Sequence, residues 1–165
     1  MIREATVNDS ARIAEIDVIS SRYAYKGIVP DECLFNDLSD ENRIPVHKKW
    51  IAEKRFGIYV YEDAGTGIIQ GMMGIGMSED DDKQGAFELH YIYVDPDYVR
   101  MGIGSEMLQF FEQKGKDKGC LEFVVWVLEE NGTGRTFYEK HNYYSDGKEK
   151  IFKRWNKREI RYVKG

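Results

Sequence analysis

Hydrophobic and polar positions along the chain follow two different periods, and short turn-forming stretches separate the segments that carry them. Apolar, β-branched and aromatic runs predict strands at 2–6, 56–61, 68–76, 86–94 and 121–128, and the tail 148–164 alternates as two strands around Trp155. Helical spacing predicts helices after the capping residues 8–10, over 39–54, over 102–118 and over 133–141. Pro45 makes the first residue of the second helix ambiguous, because proline is unfavourable in the interior of a helix. The order β-α-α-β-β-β-α-β-α-β-β predicts the α/β class, with a mixed sheet and helices on both faces.

The length of 165 residues predicts a single domain over 1–165, because domains usually hold roughly 100–200 residues. No apolar run approaches the roughly 20 residues of a membrane helix, and charges interrupt the N-terminal stretch where a signal peptide is apolar. We therefore expect a cytoplasmic protein without a membrane partner. Cys33 and Cys120 are too few and too far apart for a disulfide framework or a thiolate metal site.

Charge is spread unevenly along the chain. The formal net charge is −5, yet the segment 148–164 carries eight Lys or Arg against two Glu. The run 79–82, Glu-Asp-Asp-Asp, is typical of a solvated loop and would also attract a cationic amine. The acidic excess disfavours a nucleic-acid partner, and strand alternation spreads the charges of the basic tail over both faces.

A glycine-containing turn, RMGIGS at 100–105, follows the strand 86–94 and leads directly into a helix. Free backbone N–H groups and the helix dipole meet at such a helix start, which suits a phosphate, and glycine lets the backbone approach an anion closely. The same Gly-x-Gly spacing recurs at 65–67, 74–76 and 132–134, where ordinary turns explain it. Met107 occupies the third glycine position of a dinucleotide fingerprint, so a dinucleotide-binding fold is disfavoured.

The segment 88–108, ELHYIYVDPDYVRMGIGSEML, resembles the acetyl-CoA signature of the GNAT N-acetyltransferase family. Asn131 and the run RTFYEK at 135–140 resemble the second signature of that family, and the predicted element order is the family's order, so the resemblance covers the whole chain. The segment 23–34 is similar to a region of a large bacterial GNAT subgroup whose substrates are mostly unassigned. Two positions depart from the pattern: Val99 replaces the usual Gln or Arg, and Asn142 with Tyr143 replaces the usual Gly-Phe.

The resemblance implies how acetyl-CoA, the expected co-substrate, is held. Backbone groups of Ile92, Tyr93 and Val94 would hold the pantetheine arm, and Asn131 would hold it on the far side. The Ile92 N–H would meet the thioester carbonyl, a donor whose loss costs on the order of 3–4 kcal/mol. The residues expected around the pyrophosphate are Val99, Arg100, Met101, Gly102, Ile103, Gly104 and Ser105, and Arg100 and Lys140 would add positive potential.

An amine acceptor is cationic at neutral pH and must lose a proton before it attacks, so a general base is required. Glu88 matches the position of a glutamate base in some GNAT enzymes, and His90 lies on the same strand face, so the base is Glu88 or, through water, His90. We expect burial to raise the pKa of Glu88. Alternatively, Glu88 pairs with a basic residue and His90 is a half-buried structural histidine. Tyr138 matches the family tyrosine that protonates the departing thiolate, and the resemblance implies that it also contacts acetyl-CoA; the alternative for it is a core aromatic residue.

These features predict an acetyl-CoA-dependent N-acetyltransferase that transfers acetyl directly to a primary amine of a small molecule or peptide in a ternary complex. One alternative is a non-enzymatic acyl-CoA-binding regulatory module, because a fold does not determine a function. Another is an acetyltransferase of protein N-termini or lysines. No histidine shares metal-ligand spacing with a carboxylate, so no metal is expected. The sequence leaves the oligomeric state open between a monomer and a homodimer, the form that GNAT proteins often adopt.

Overall fold

Seven strands and four helices form along residues 1–165, all of which the computed structural model describes. The strands are β1 (Ile2–Glu4), β2 (Gly57–Glu62), β3 (Ile69–Met77), β4 (Phe87–Val94), β5 (Phe123–Leu128), β6 (Tyr144–Phe152) and β7 (Lys157–Lys164). The helices are α1 (Ser10–Tyr25), α2 (Asp40–Glu53), α3 (Ile103–Asp117) and α4 (Gly132–Lys140). The elements follow one another in the predicted order.

The strands form one sheet in the spatial order β1-β2-β3-β4-β5-β7-β6. All neighbouring strands are antiparallel except β4 and β5, which run parallel because α3 crosses over between them. The predicted α/β class with a mixed sheet is therefore confirmed. The basic tail forms the hairpin of β6 and β7, and β7 lies inside the sheet next to β5.

α1 is longer than its apolar pattern, which ends at Val18, whereas α2 agrees with its expected bounds to within one residue. α1 continues beyond residue 18 to Tyr25, which brings the Ser20 hydroxyl within 3.0 Å of the Val94 carbonyl. α2 begins after Ser39, whose side chain accepts from the Asn42 N–H, and Pro45 lies inside the helix. The proline removes one N–H donor from the second turn and does not end the helix. No helix is long and apolar enough to cross a membrane.

Apolar side chains pack on both faces of the sheet, and helices cover both faces as predicted. On one face, Leu89 of β4 packs with Leu108 and Phe111 of α3. On the other, Tyr91 of β4 packs with the cluster that contains Ile16 of α1. Each large side chain buried in this way stabilises the fold by roughly 1.5–3 kcal/mol. The two cores therefore hold β4 in place from both sides.

A β-bulge interrupts β4 at His90. Leu89 pairs with Ile75 and Tyr91 pairs with Gly74, so His90 is an extra residue on β4. In a regular strand two consecutive side chains point to opposite faces. Here the rings of His90 and Tyr91 both contact Phe56, with centroids 5.0 and 5.9 Å from it. The bulge therefore places both rings on the side of the sheet that α2 covers.

Candidate active site

The parallel strands β4 and β5 are paired over only three residues of each strand. Beyond these residues the two strands separate and leave a gap. The Asp95 N–H donates to the Gln70 carbonyl at 2.9 Å. Antiparallel alternation then turns the backbone groups of Tyr93 toward β3 and those of Ile92 and Val94 toward the gap. The Ile92 N–H is thus a free donor in the gap. The expected contact through the Tyr93 backbone is not available, since sheet pairing uses its backbone groups.

The turn before α3 alternates between negative and positive backbone φ angles. Arg100 has a φ of 64° and Gly102 a φ of 86°. Successive residues of alternating handedness turn their N–H groups into a concave nest that binds anions. A Cβ at Gly102 would meet no atom within 4 Å, so the positive φ is what requires glycine at this position. The turn thus fits the phosphate site that the sequence predicts.

A groove of about 1170 Å³ extends from this turn, along the gap between β4 and β5, to the hairpin of β6 and β7. The predicted residues that line it are Ile92, Tyr93, Val94, Val99, Arg100, Gly102, Ile103, Gly104, Ser105, Asn131, Tyr138 and Lys140. Met101 and Glu88 do not line it. Met101 is 66% exposed outside the groove, which leaves only its backbone for a ligand, and Glu88 is buried behind the groove wall. We call the part formed by residues 92–105 the turn end.

Tyr138 lies on α4, where it lines the groove. It is buried, and its ring packs against Phe137 and Tyr143 with centroids 5.2 and 5.8 Å away. Burial, with a contribution from Tyr93, raises the pKa of the Tyr138 hydroxyl well above its usual range. The hydroxyl therefore stays protonated at neutral pH, which is the state that a proton donor requires.

Asn131 caps the N-terminus of α4. Its Oδ1 accepts from the Gly134 N–H at 3.0 Å. A Cβ at Gly134 would lie only 2.6 Å from Asn131 Nδ2, so glycine makes room for the cap. Because the cap uses the carbonyl oxygen, the amide nitrogen is the group of Asn131 that is left for a ligand.

Glu88 and His90 contact each other at the groove wall. Glu88 Oε1 lies 3.3 Å from His90 Nδ1, and the Ser78 hydroxyl donates to Glu88 Oε2 at 2.9 Å. Burial acts to raise the pKa of Glu88, but His90 and Ser78 outweigh it, and the net pKa is lowered. The expected rise is therefore wrong, and Glu88 is ionised at neutral pH. Of the two residues, His90 lines the groove.

His141 connects the two helices that border the turn end. Its Nδ1 lies 2.8 Å from the Phe137 carbonyl, so Nδ1 carries the proton and Nε2 accepts from the Ser105 hydroxyl at 3.0 Å. The Ser105 side chain is thereby engaged, which leaves its backbone N–H for an anion. No spacing in the sequence indicates this role of His141.

The opposite part of the groove, which we call the aromatic end, is formed by side chains from several separate elements. These residues are Tyr25, Trp50, Phe56, Trp126, Phe152 and Trp155. Trp155 packs against Tyr25 and Phe152 with ring centroids 5.0 and 5.2 Å away, so the hairpin of β6 and β7 contacts the end of α1. Sequence reasoning missed this wall because each ring by itself looks like an ordinary core residue.

The acidic run 79–82 is not an open anionic surface. The side chain of Arg161 is only 3% exposed and lies 3.0 Å from Asp80 and 2.7 Å from both Asp82 and Asp146. Asp80 also accepts from Trp126 Nε1 at 3.1 Å. The interpretation of this run as an attractor of cationic amines is therefore wrong for Asp80 and Asp82. Asp80 instead fixes the orientation of a ring in the aromatic end.

A buried ion cluster holds α1 against α2 beside the aromatic end. Asp17 Oδ2 lies 2.6 Å from Arg43 Nε and 2.9 Å from His47 Nε2. Burial acts to raise the pKa of Asp17, but His47 and Arg43 outweigh it, so the net pKa is lowered. No group of three or more His, Cys, Asp or Glu side chains that could hold a metal ion comes together in the chain.

Comparison with known proteins agrees with this fold. The profile of the Acetyltransferase (GNAT) family matches residues 25–143, more than half of the chain. The protein therefore belongs to the GNAT family and is an acetyltransferase. Among its relatives, the uncharacterized N-acetyltransferase YuaI of Bacillus subtilis is 29% identical over 130 residues, which cover 79% of this chain and 72% of YuaI.

A second relative is the spermidine N(1)-acetyltransferase of Thermoplasma acidophilum, 26% identical over 156 residues that cover 86% of each chain. The solved structure of the PaiA N-acetyltransferase from Thermoplasma acidophilum in complex with coenzyme A matches with a TM-score of 0.75 at 19% identity, covering 98% of this chain and 96% of that one. This likeness confirms the GNAT fold.

Proposed function

We propose that the protein transfers an acetyl group from acetyl-CoA to a primary amine by direct attack in a ternary complex. The observation that carries this proposal is the free Ile92 N–H in the gap between β4 and β5. A donor in that place would stabilise the oxyanion that forms on the thioester carbonyl. The gap opens into a groove of about 1170 Å³, larger than the roughly 300–1,000 Å³ of most small-molecule sites. This volume supports a ternary complex, in which both substrates occupy the groove together.

The turn end would bind acetyl-CoA. Backbone N–H groups of residues 99–105 would hold the pyrophosphate at the start of α3, and Arg100 and Lys140 would add positive charge. Backbone groups of Ile92 and the N–H of Val94, whose carbonyl already accepts from Ser20, would hold the pantetheine arm from β4. The amide nitrogen of Asn131 would hold it from α4. The departure at Val99 is compatible with this arrangement, because the nest consists of backbone groups.

His90 would act as the general base, directly or through one water. Glu88 would be a positioning residue: its carboxylate faces His90 Nδ1, keeps the proton there and leaves Nε2 to accept a proton from the ammonium form of the acceptor. The amine nitrogen then forms a bond to the carbonyl carbon, and the Ile92 N–H stabilises the oxyanion. As the carbon–sulfur bond breaks, Tyr138 donates its proton to the sulfur and regains one from the attacking nitrogen.

A polyamine is the acceptor that we propose to test first. The relative from Thermoplasma acidophilum that aligns over 86% of both chains is named as a spermidine N(1)-acetyltransferase. The aromatic end suits a cationic acceptor, because an ammonium over the face of a Trp ring gains about 0.5–2 kcal/mol. The cytoplasmic location stays a prediction from the sequence, and the oligomeric state stays open between a monomer and a homodimer.

Release of free thiol from acetyl-CoA tests this function. A panel with spermidine, simple monoamines and a lysine peptide should include an amine that drives thiol release. His90→Gln should lower kcat about 100-fold without changing the KM for acetyl-CoA. Glu88→Gln should lower kcat about 10-fold with KM unchanged, and Ser78→Ala, which removes the other contact of the same carboxylate, should lower it less. Tight binding of acetyl-CoA without thiol release from any amine would contradict the proposal and favour a regulatory module.

A further inference from the structure

Glu159 is a carboxylate without a partner inside the groove. It lies on β7, in register with Leu128 of β5 and Lys150 of β6, and it lines the aromatic end. Its side chain is half-buried and makes no hydrogen bond or ion pair; only the charges of Lys150 and Glu88 act on it through space. Because withdrawing a charge from water is costly, this half-buried carboxylate without a protein partner is available to a cationic ligand in the groove.

The other carboxylates around the aromatic end already have partners. The pairs are Asp17 with Arg43, Asp80 with Arg161, Glu88 with His90 and, at the exposed rim, Glu79 with Arg55. Glu159 is therefore the anion that is left free within this part of the groove. A cationic acceptor that enters the aromatic end meets this free carboxylate, and it also meets Arg154, a cation of the groove wall that has no carboxylate partner.

Three cations of the protein lie over the rings near Glu159, among them the guanidinium of Arg161, 5.6 Å from the centroid of Trp126. Lys150 Nζ lies 4.0 Å from the centroid of Trp126, and it takes this position instead of pairing with Glu159. The guanidinium of Arg154 lies 5.6 Å from the centroid of Trp155. Such contacts over indole rings are worth about 0.5–2 kcal/mol. The cations of the protein therefore already occupy part of these ring faces, and the remaining indole surface suits the apolar linker of an acceptor.

Glu159 is too far from the reacting centre to bind the attacking nitrogen. β5 lies between β4 and β7, and neighbouring strands are about 4.8 Å apart, so roughly 10 Å separate the backbone of Glu159 from β4 where the sheet is closed. The separation is larger beside Ile92, where β4 and β5 have splayed. An amine that reaches the thioester meets Glu159 only through a second group further along its chain.

We infer that Glu159 binds a second ammonium group of the acceptor, so that the site prefers diamines and polyamines to monoamines of the same length. This inference rests on the proposed acetylation of an amine. It identifies Glu159 as the residue that selects the acceptor. A charge-assisted hydrogen bond between the ammonium and Glu159 would supply the selectivity. Trp126 and Trp155 would contact the carbon chain between the two nitrogens.

Two acceptors that differ by one ammonium group, 1,4-diaminobutane and butylamine, test the inference. We expect the wild type to show a KM for 1,4-diaminobutane at least about tenfold below that for butylamine, and Glu159→Gln to abolish most of this ratio. Glu149→Gln is the matched control: it removes the same charge from neighbouring β6, where the side chain is 50% exposed, and it should keep the wild-type ratio. A wild type without the preference, or an equal loss of kcat with both amines in Glu159→Gln, would overturn the inference.

Calorimetry separates this inference from the proposed function. We would titrate 1,4-diaminobutane into each protein saturated with coenzyme A, a complex that carries no acetyl group to transfer. Tighter binding by the wild type and by Glu149→Gln than by Glu159→Gln supports the role of Glu159, whether or not any amine is acetylated. Equal binding by all three proteins overturns it. Absence of thiol release with every amine overturns the proposed function alone.

Discussion

The two ends of the groove are built from different parts of the chain. The turn end consists of backbone groups, namely the free Ile92 N–H and the alternating turn at Arg100 and Gly102. The aromatic end consists of side chains, and ion pairs around Asp17 and Arg161 hold them in place. Backbone groups need only the right local conformation, whereas side chains need the whole tertiary structure. The turn end therefore tolerates a change of side chain such as the valine at position 99. Substitution of side chains in the aromatic end, by contrast, can change which acceptor binds.

The largest effect is expected at Tyr138, which lines the groove from α4. Tyr138→Phe removes the proposed proton donor and should lower kcat about 100-fold, with an unchanged Kd for acetyl-CoA in calorimetry. Tyr143→Phe is the control: this buried hydroxyl donates to Glu112 at 3.1 Å, and the residue does not line the groove. A Tyr138→Phe variant that turns over like the wild type would exclude Tyr138 as the acid.

At the turn end, Gly102→Ala should weaken binding of acetyl-CoA about fivefold, because alanine disfavours the φ of 86° that shapes the nest. The same strain should lower the free energy of unfolding by about 1 kcal/mol. Gly119→Ala imposes equal strain, at a φ of 82°, just beyond the other end of α3 and far from the groove. Its stability should fall equally while its Kd stays that of the wild type. Equal Kd values for both variants would mean that the nest does not bind the cofactor.

At the aromatic end, Asp80→Asn should raise the KM for the amine about threefold by loosening Trp126, and it should leave the Kd for acetyl-CoA unchanged. Asp81→Asn removes the same charge from the neighbouring, exposed position and should change neither. Steering of the amine by charge would instead affect both variants equally and disappear at high salt. That outcome would support the interpretation that the acidic run 79–82 attracts cationic amines.

The smallest effect is expected on the stability of the protein at low pH. Because His47 and Arg43 keep the pKa of Asp17 below the ordinary value of about 3.9, Asp17 contributes stability that is fully present above that value. This stability is lost as the pH falls through the lower pKa of the folded state. Hydrogen exchange from pH 5 downward should show α2, which Asp17 binds, losing protection before α3. Earlier loss of protection in α3 would contradict the role of Asp17.

The sequence predicts the turn end far better than the aromatic end. The Gly-x-Gly helix start and the strand before it are local features, so the phosphate turn and the order of the elements follow from short segments. The bulge at His90 depends on the register between β3 and β4, and that register has no signal in β4 alone. The pKa of Glu88 was predicted in the wrong direction because its partners, Ser78 and His90, decide it.

Ion pairs between residues far apart in the sequence explain the remaining differences between the predicted and the observed site. Arg161 joins Asp80, Asp82 and Asp146 from distant parts of the chain, so two of the four acidic residues of the run become part of a cluster of ion pairs. Glu159 shows the reverse case. It belongs to the basic tail, where a partner would be expected, and the fold leaves it with none.

Intact-mass spectrometry of the protein with acetyl-CoA tests direct transfer in the groove most directly. Before any amine is added, the account predicts an unmodified protein mass and no release of thiol. After spermidine is added, one acetylated amine should form for each thiol released, and the protein mass should stay unchanged. An acetylated protein that forms before the amine arrives and then passes its acetyl group to spermidine would contradict the account.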